Sequence, residues 1–159
     1  MKKEKMKVSQ YVVKMLQKFS PNMPIHKTNS GVWTAKDVAL KLLAQEEDVM
    51  YWLSDVLRIM VRHISREAET KLMPVDITPY LADASQLDKS ALIIILKEPL
   101  IDDYAWVFRS KGGIPYTKRA MLDILDADTS LAHQYMANCL AKMNFVWELE
   151  RDGLKKKQA

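Results

Sequence analysis

Glycine, cysteine and long apolar runs are all scarce in this chain of 159 residues. With four glycines it has no glycine-rich phosphate loop and no nucleophile elbow: G-x-x-x-x-G-K-[ST], G-x-G-x-x-G and G-x-S-x-G are all absent. A single cysteine, Cys139, excludes an internal disulfide framework and suits a reducing compartment. The longest apolar run, A-L-I-I-I-L at 91–96, falls far short of the ~20 residues that cross a bilayer. Residues 1–7 are basic, but no apolar stretch follows them as in a signal peptide. The expectation is a cytoplasmic protein with no membrane partner.

Catalytic chemistry is equally thin. His26, His63 and His133 are scattered, and none has a second His or a Cys one helical turn away. Cys139 falls on an apolar stripe, where a thiol is structural. Asp123, Asp126 and Asp128 read as an acidic turn, and Asp102-Asp103 as a helix start. No metal, no cofactor and no enzymatic activity are expected. What is present is an ordinary globular mix, 48% hydrophobic and 28% charged.

The net charge of +4 is unevenly placed. Residues 1–30 carry +6, residues 31–60 carry −2, residues 61–83 carry −1, residues 84–145 balance, and the tail 146–159 adds +1. Basic ends of this kind can screen phosphates or simply keep a chain soluble.

Val8, Tyr11, Val12, Met15, Leu16 and Phe19 predict an amphipathic helix, which Ser20-Pro21-Asn22 ends. A loop follows to Ser30. Thr34, with Asp37 three residues on, caps a short helix carrying Val38, Leu40, Leu42 and Leu43. After a polar break, Val49, Leu53, Val56, Leu57, Met60 and Ile64 predict a longer helix. Residues 62–74 are read either as a strand and wing or as its extension, with Arg58, Arg62 and Arg66 on one face. The run at 91–96 is the best strand candidate, although a buried helix has the same pattern. Leu100, Tyr104, Val107 and Phe108 form a further helical stripe. Thr117 then caps a short helix with Met121 and Leu125, and Thr129 or Ser130 caps a longer one with Leu131, Tyr135, Met136, Cys139, Leu140 and Met143. Alternation at 145–150 predicts a strand that bends as a wing at Arg151-Asp152-Gly153.

Sliding the chain by 83 residues sets Thr34 on Thr117, Val38 on Met121, Leu42 on Leu125, Ala44 on Ala127, Leu57 on Leu140 and Met60 on Met143, without a gap. The expected fold is mainly α with short β-strands (α+β), an N-terminal repeat over 1–82, a connector with a possible strand over 83–99, and a C-terminal repeat over 100–159. With T-A-K-D-V-A-L-K-L-L-A at 34–44 and Y-T-K-R-A-M-L-D-I-L-D at 116–126, the chain resembles the winged-helix branch of the helix-turn-helix superfamily, used in tandem. The first half is also similar to enterobacterial activators of the CaiF and GrlA kind, a likeness that carries no residue over. The superfamily resemblance implies double-stranded DNA as partner, with the second helix of a pair in the major groove. Tandem members also serve as protein-interaction modules.

Two functions follow as expectations. In the first, a transcriptional regulator reads bases with His133, Gln134, Asn138 and Lys142, taken as the outward face of the last helix. Its phosphate contacts are Lys14, Lys18, Arg58, Arg62, Arg66, Lys118, Arg119 and the terminal lysines. In the second, the acidic first helix pair, with Met50, Tyr51 and Trp52, holds another protein or a second copy of the chain as a homodimer, with little DNA affinity. Glu46-Glu47-Asp48 suit the start of a helix but repel phosphate there.

Overall fold

The computed structural model describes residues 5–70, 76–110 and 112–158, with 145–158 as helical backbone only. Helix α1 (Val8–Leu16) leads into a hairpin of β1 (Pro24–Thr28) and β2 (Gly31–Thr34), then α2 (Ala35–Leu43) and the long α3 (Glu47–Thr70). A 3₁₀ turn (Thr78–Tyr80) and the single-turn α4 (Leu81–Ala84) form a connector. The series then repeats as α5 (Ser90–Leu96), β3 (Trp106–Arg109), β4 (Pro115–Thr117), α6 (Lys118–Asp126) and α7 (Ser130–Gln158). The molecule is mostly helical, with two small antiparallel two-stranded sheets. Among the described residues no helix is long and apolar enough to cross a membrane.

The offset of 83 residues reappears in the backbone. Thr34 Oγ1 accepts from the Asp37 amide, and Thr117 Oγ1 accepts from the Ala120 amide, so both short helices start from the expected threonine. The Asp37 carboxylate returns a bond to the Thr34 amide, completing a capping box only in the first repeat. Both short helices end alike. Gln45 (φ 54°) and Asp128 (φ 53°) occupy the left-handed region one residue past the C-caps Ala44 and Ala127. Glycine at Gln45 removes the Cβ strain of that region, so Gln45→Gly is expected to stabilise by about 0.5–1 kcal/mol. Asp128→Gly is expected to lower the melting temperature despite the same φ, because Asp128 is bonded to Lys5, Lys89 and His133. Thermal melts of the two variants check this opposition.

Several segments differ from their sequence patterns. The run at 91–96, the strand candidate, is helix α5, with Leu92, Ile95 and Leu96 buried and Ile94 outward. The stripe at 100–108 is a turn leading into β3; Asp102 Oδ1 accepts from the Tyr104 amide in that turn, so Asp102-Asp103 start no helix. The loop expected before Ser30 contains β1, paired with β2 across Asn29-Ser30. Gly31 there has φ +145°, which suits glycine. The long helix runs to Thr70, which favours the helical reading of that stretch; 71–75 lie outside the described residues. The strand and wing expected at 145–153 are instead helical backbone of α7. Each hairpin therefore precedes its helix pair, where a wing would follow it.

The two repeats share one core. Helix α3 lies along β3 of the second repeat, and α7 packs against β1 of the first. Ser65 Oγ donates to the Trp106 carbonyl (2.7 Å), and the Arg109 guanidinium donates to the carbonyls of Ala68 (2.7 Å) and Gly113 (2.7 Å). Ile25 and Val107, Trp52 and Tyr135, and Met60 and Met143 occupy equivalent buried positions in this common interior. A hairpin alone exposes too much apolar surface to be stable, and here each is covered by the other repeat's long helix.

Candidate functional site

The first half of α7 is enclosed on nearly every side. Asn138 is 2% exposed and Ala137 is fully buried. Gln134 is half-buried with its Oε1 enclosed and unbonded, as is Asn138 Oδ1. Lys142 forms an ion pair with Glu67 of α3, both largely covered. His133 faces the Asp128 carboxylate at 3.2 Å. The base-reading face is thus corrected: Asn138 and Lys142 point into the protein, and Gln134 is partly enclosed. The cause is tertiary. The connector lies on this face, where Asn144 Nδ2 donates to the Tyr80 hydroxyl (2.8 Å) and Tyr80 precedes α4, while α3 closes it from the other side. Between these faces burial pushes the Tyr135 hydroxyl and the Cys139 thiol well up, so both are neutral packing groups.

The basic residues divide. Lys14, Lys18, Arg62, Arg66 and Arg119 are exposed, on or beside α1, α3 and α6. Arg58 is held by Asp55 (2.9 Å) and Glu98 (2.8 Å). Lys118 is buried and donates to the carbonyls of Glu98 (3.2 Å) and Ile101 (2.8 Å), so it is removed from the phosphate set. It fastens the loop ahead of β3 to the start of α6.

Of the partner residues, Trp52 is buried beside His26, with ring centroids 6.1 Å apart, and serves the core instead. Met50 is half-buried and lines a groove of about 220 Å³ with Leu53, Ala91 and Ile94. Tyr51 remains outward, 65% exposed.

Two further exposed apolar side chains of the first helix pair lie on α2, where the pattern placed core. Ala35, Val38 and Leu42 point inward, while Leu40 and Leu43 are 56% and 63% exposed. One signal for this was present in the sequence. The positions 83 residues on are Asp123 and Asp126, both exposed on α6, so this face of the short helix is solvated in the repeat fold. Nearby, Lys41 bonds Asp48 at 2.9 Å and sits 4.9 Å over the Trp33 ring, which locks the corner between α2 and α3.

A concentrated charge network lies elsewhere, where Asp128 meets Lys5 of the N-terminal segment and Lys89 at the start of α5. Lys5 first, then Lys89, holds the Asp128 carboxyl far below the usual carboxylate range. A depressed carboxylate stabilises the fold fully above its unfolded pKa of about 3.9, and that contribution drains as the pH falls below it. Asp128→Asn is accordingly expected to melt below wild type at neutral pH, with the difference shrinking in acid; melts over pH 2–7 check the trend. The network bonds the termini of three elements to one another and offers no unpaired group. No family model, no curated protein and no solved structure matches this chain.

Proposed function

We propose that this chain is a protein-interaction module related to the helix-turn-helix superfamily, two helix–hairpin–helix–helix repeats in tandem, acting as an adaptor or regulator and not as a reader of bases. The observation that carries this reading is the exchange of faces between the repeats. The helix face with groove-reading chemistry, Gln134, Asn138 and Lys142, is enclosed, while the first pair presents Leu40, Leu43 and Tyr51 outward beside the exposed acids Glu46, Glu47 and Asp48. Exposed apolar groups with acids at one end suit a protein surface better than a phosphate backbone. Kinship to the winged-helix branch is supported by two threonine-capped helix pairs with matching tight turns, although the hairpin here stands ahead of the pair.

A second reading, contact with double-stranded DNA through phosphates alone, draws on Arg62 and Arg66, exposed one turn apart on α3. Titration of random-sequence duplex over a salt series separates the two. Negligible binding at low salt is the expected result. Binding with a log–log slope reporting several phosphates, lost on replacing Arg62 and Arg66 together, would establish the DNA reading instead.

A further inference from the structure

The charge pattern of α2 names a partner for the surface just described, and the inference rests on that interaction reading. Lys36, Leu40 and Leu43 are exposed and spaced i, i+4 and i+7, one stripe of a nine-residue helix about 13 Å long. Lys36 stands at its N-terminal end, and the exposed Glu47 just past its C-terminal end. A basic group at one end, an acid at the other and leucines between make a surface complementary to its own reverse. Laid antiparallel on a second copy, α2 sets Lys36 of each chain near Glu47 of the other and brings the leucines together at the two-fold axis. A parallel arrangement sets like charges side by side. The nearby cation Lys41 is already held by Asp48 and Trp33, which leaves Lys36 to face the partner.

The second repeat is an internal control. At the four equivalent positions it has Arg119, Asp123, Asp126 and Ser130, so the same face lacks both the apolar centre and the terminal acid. Nothing in the repeat fold requires leucine at positions 40 and 43.

We propose that the chain forms a two-fold homodimer through α2, with Leu40 and Leu43 at its centre and reciprocal Lys36–Glu47 pairs at its ends. The partner is a second copy of this chain, and Tyr51, one turn beyond Glu47 on α3, extends the rim.

Sedimentation velocity of the full chain, from low micromolar to hundreds of micromolar, tests it. Wild type is expected to pass from monomer to dimer with concentration. The Leu40→Asp, Leu43→Asp double variant is expected to stay monomeric with an unchanged melting temperature, since aspartate already occupies both equivalent positions in α6. Lys36→Glu and Glu47→Lys, each counted twice by the symmetry, are expected to weaken the dimer by about tenfold, and their combination to restore it. Recovery in the combined variant is peculiar to a surface that meets itself. A wild type monomeric throughout, a dimer that survives the aspartates, or a combined swap without recovery overturns the homodimer. The duplex titration reports separately on the interaction reading: a monomer that leaves DNA unbound overturns self-association alone, whereas binding with a steep salt slope overturns the reading beneath it.

Discussion

Replacing Asn138 by Asp is expected to cost about 3 kcal/mol or more, because a carboxylate placed in an enclosed site loses its hydration without gaining a partner. Asn138 is 2% exposed, and its own Oδ1 is already unbonded, so a charge at that atom has nothing to receive it. Asn138→Ala removes that unsatisfied oxygen together with some packing, and is expected to cost much less. The equivalent residue in the first repeat is Asp55, a carboxylate on the open side of α3 with 70% of its side chain exposed. Asp55→Asn is expected to stay within about 0.5 kcal/mol of wild type, as surface changes usually do. Urea denaturation of the three variants measures the contrast. An Asn138→Asp protein as stable as wild type would mean that the face is solvated, and would return it to the candidates for reading DNA.

Lys142→Ala is expected to destabilise by about 3 kcal/mol, since removing one partner of a covered ion pair strands the other. Glu67 keeps only 19% of its side-chain surface, and its Oε2 already lacks a partner, so losing Lys142 leaves the whole carboxylate uncompensated. Combining Lys142→Met with Glu67→Leu is expected to recover most of the loss, because two apolar groups of similar size need no hydration. The pair joins α3 of one repeat to α7 of the other. The single variant is therefore expected to unfold both repeats in one transition at lower denaturant, and not to release one of them. A Lys142→Ala protein with unaltered stability would show the pair to be solvated and the repeats to be held together by packing alone.

These expectations concern α7, where sequence pattern and tertiary structure part. Tyr135, Met136, Cys139, Leu140 and Met143 were legible as a buried stripe because a helix returns every 3.6 residues to one face, and the core takes that face. Gln134, Asn138 and Lys142 fall on the opposite side, and polarity there normally signals water. The assumption fails because a second layer, the connector and α3, covers that side. The connector has no periodicity to announce it: it is a 3₁₀ turn and a four-residue helix held by contacts such as Tyr11 to Asp83 (3.0 Å). On α2 the error runs the other way. Leu40 and Leu43 carry the polarity of core, but the nine-residue helix has only one inward side, already filled by Ala35, Val38 and Leu42.

The hairpins and α5 were missed for a local reason. Two strands of four or five residues leave too few alternations to count, and the apolar stretch at 91–96 has the same composition as helix or strand. The hairpins and the seven-residue α5 are both settled by what they pack against.

By itself the sequence determined the features whose partners lie within a few residues: the threonine caps at Thr34 and Thr117, the tight turns after Ala44 and Ala127, the four longer helices of the two pairs and their repeat at 83 residues. Their energies come from bonds between near neighbours, so local residues suffice to specify them. Only the tertiary structure decided which faces meet water. It put the polar side of α7 inside and the leucines of α2 outside, because burial depends on how many layers pack on an element, and those layers come from distant parts of the chain.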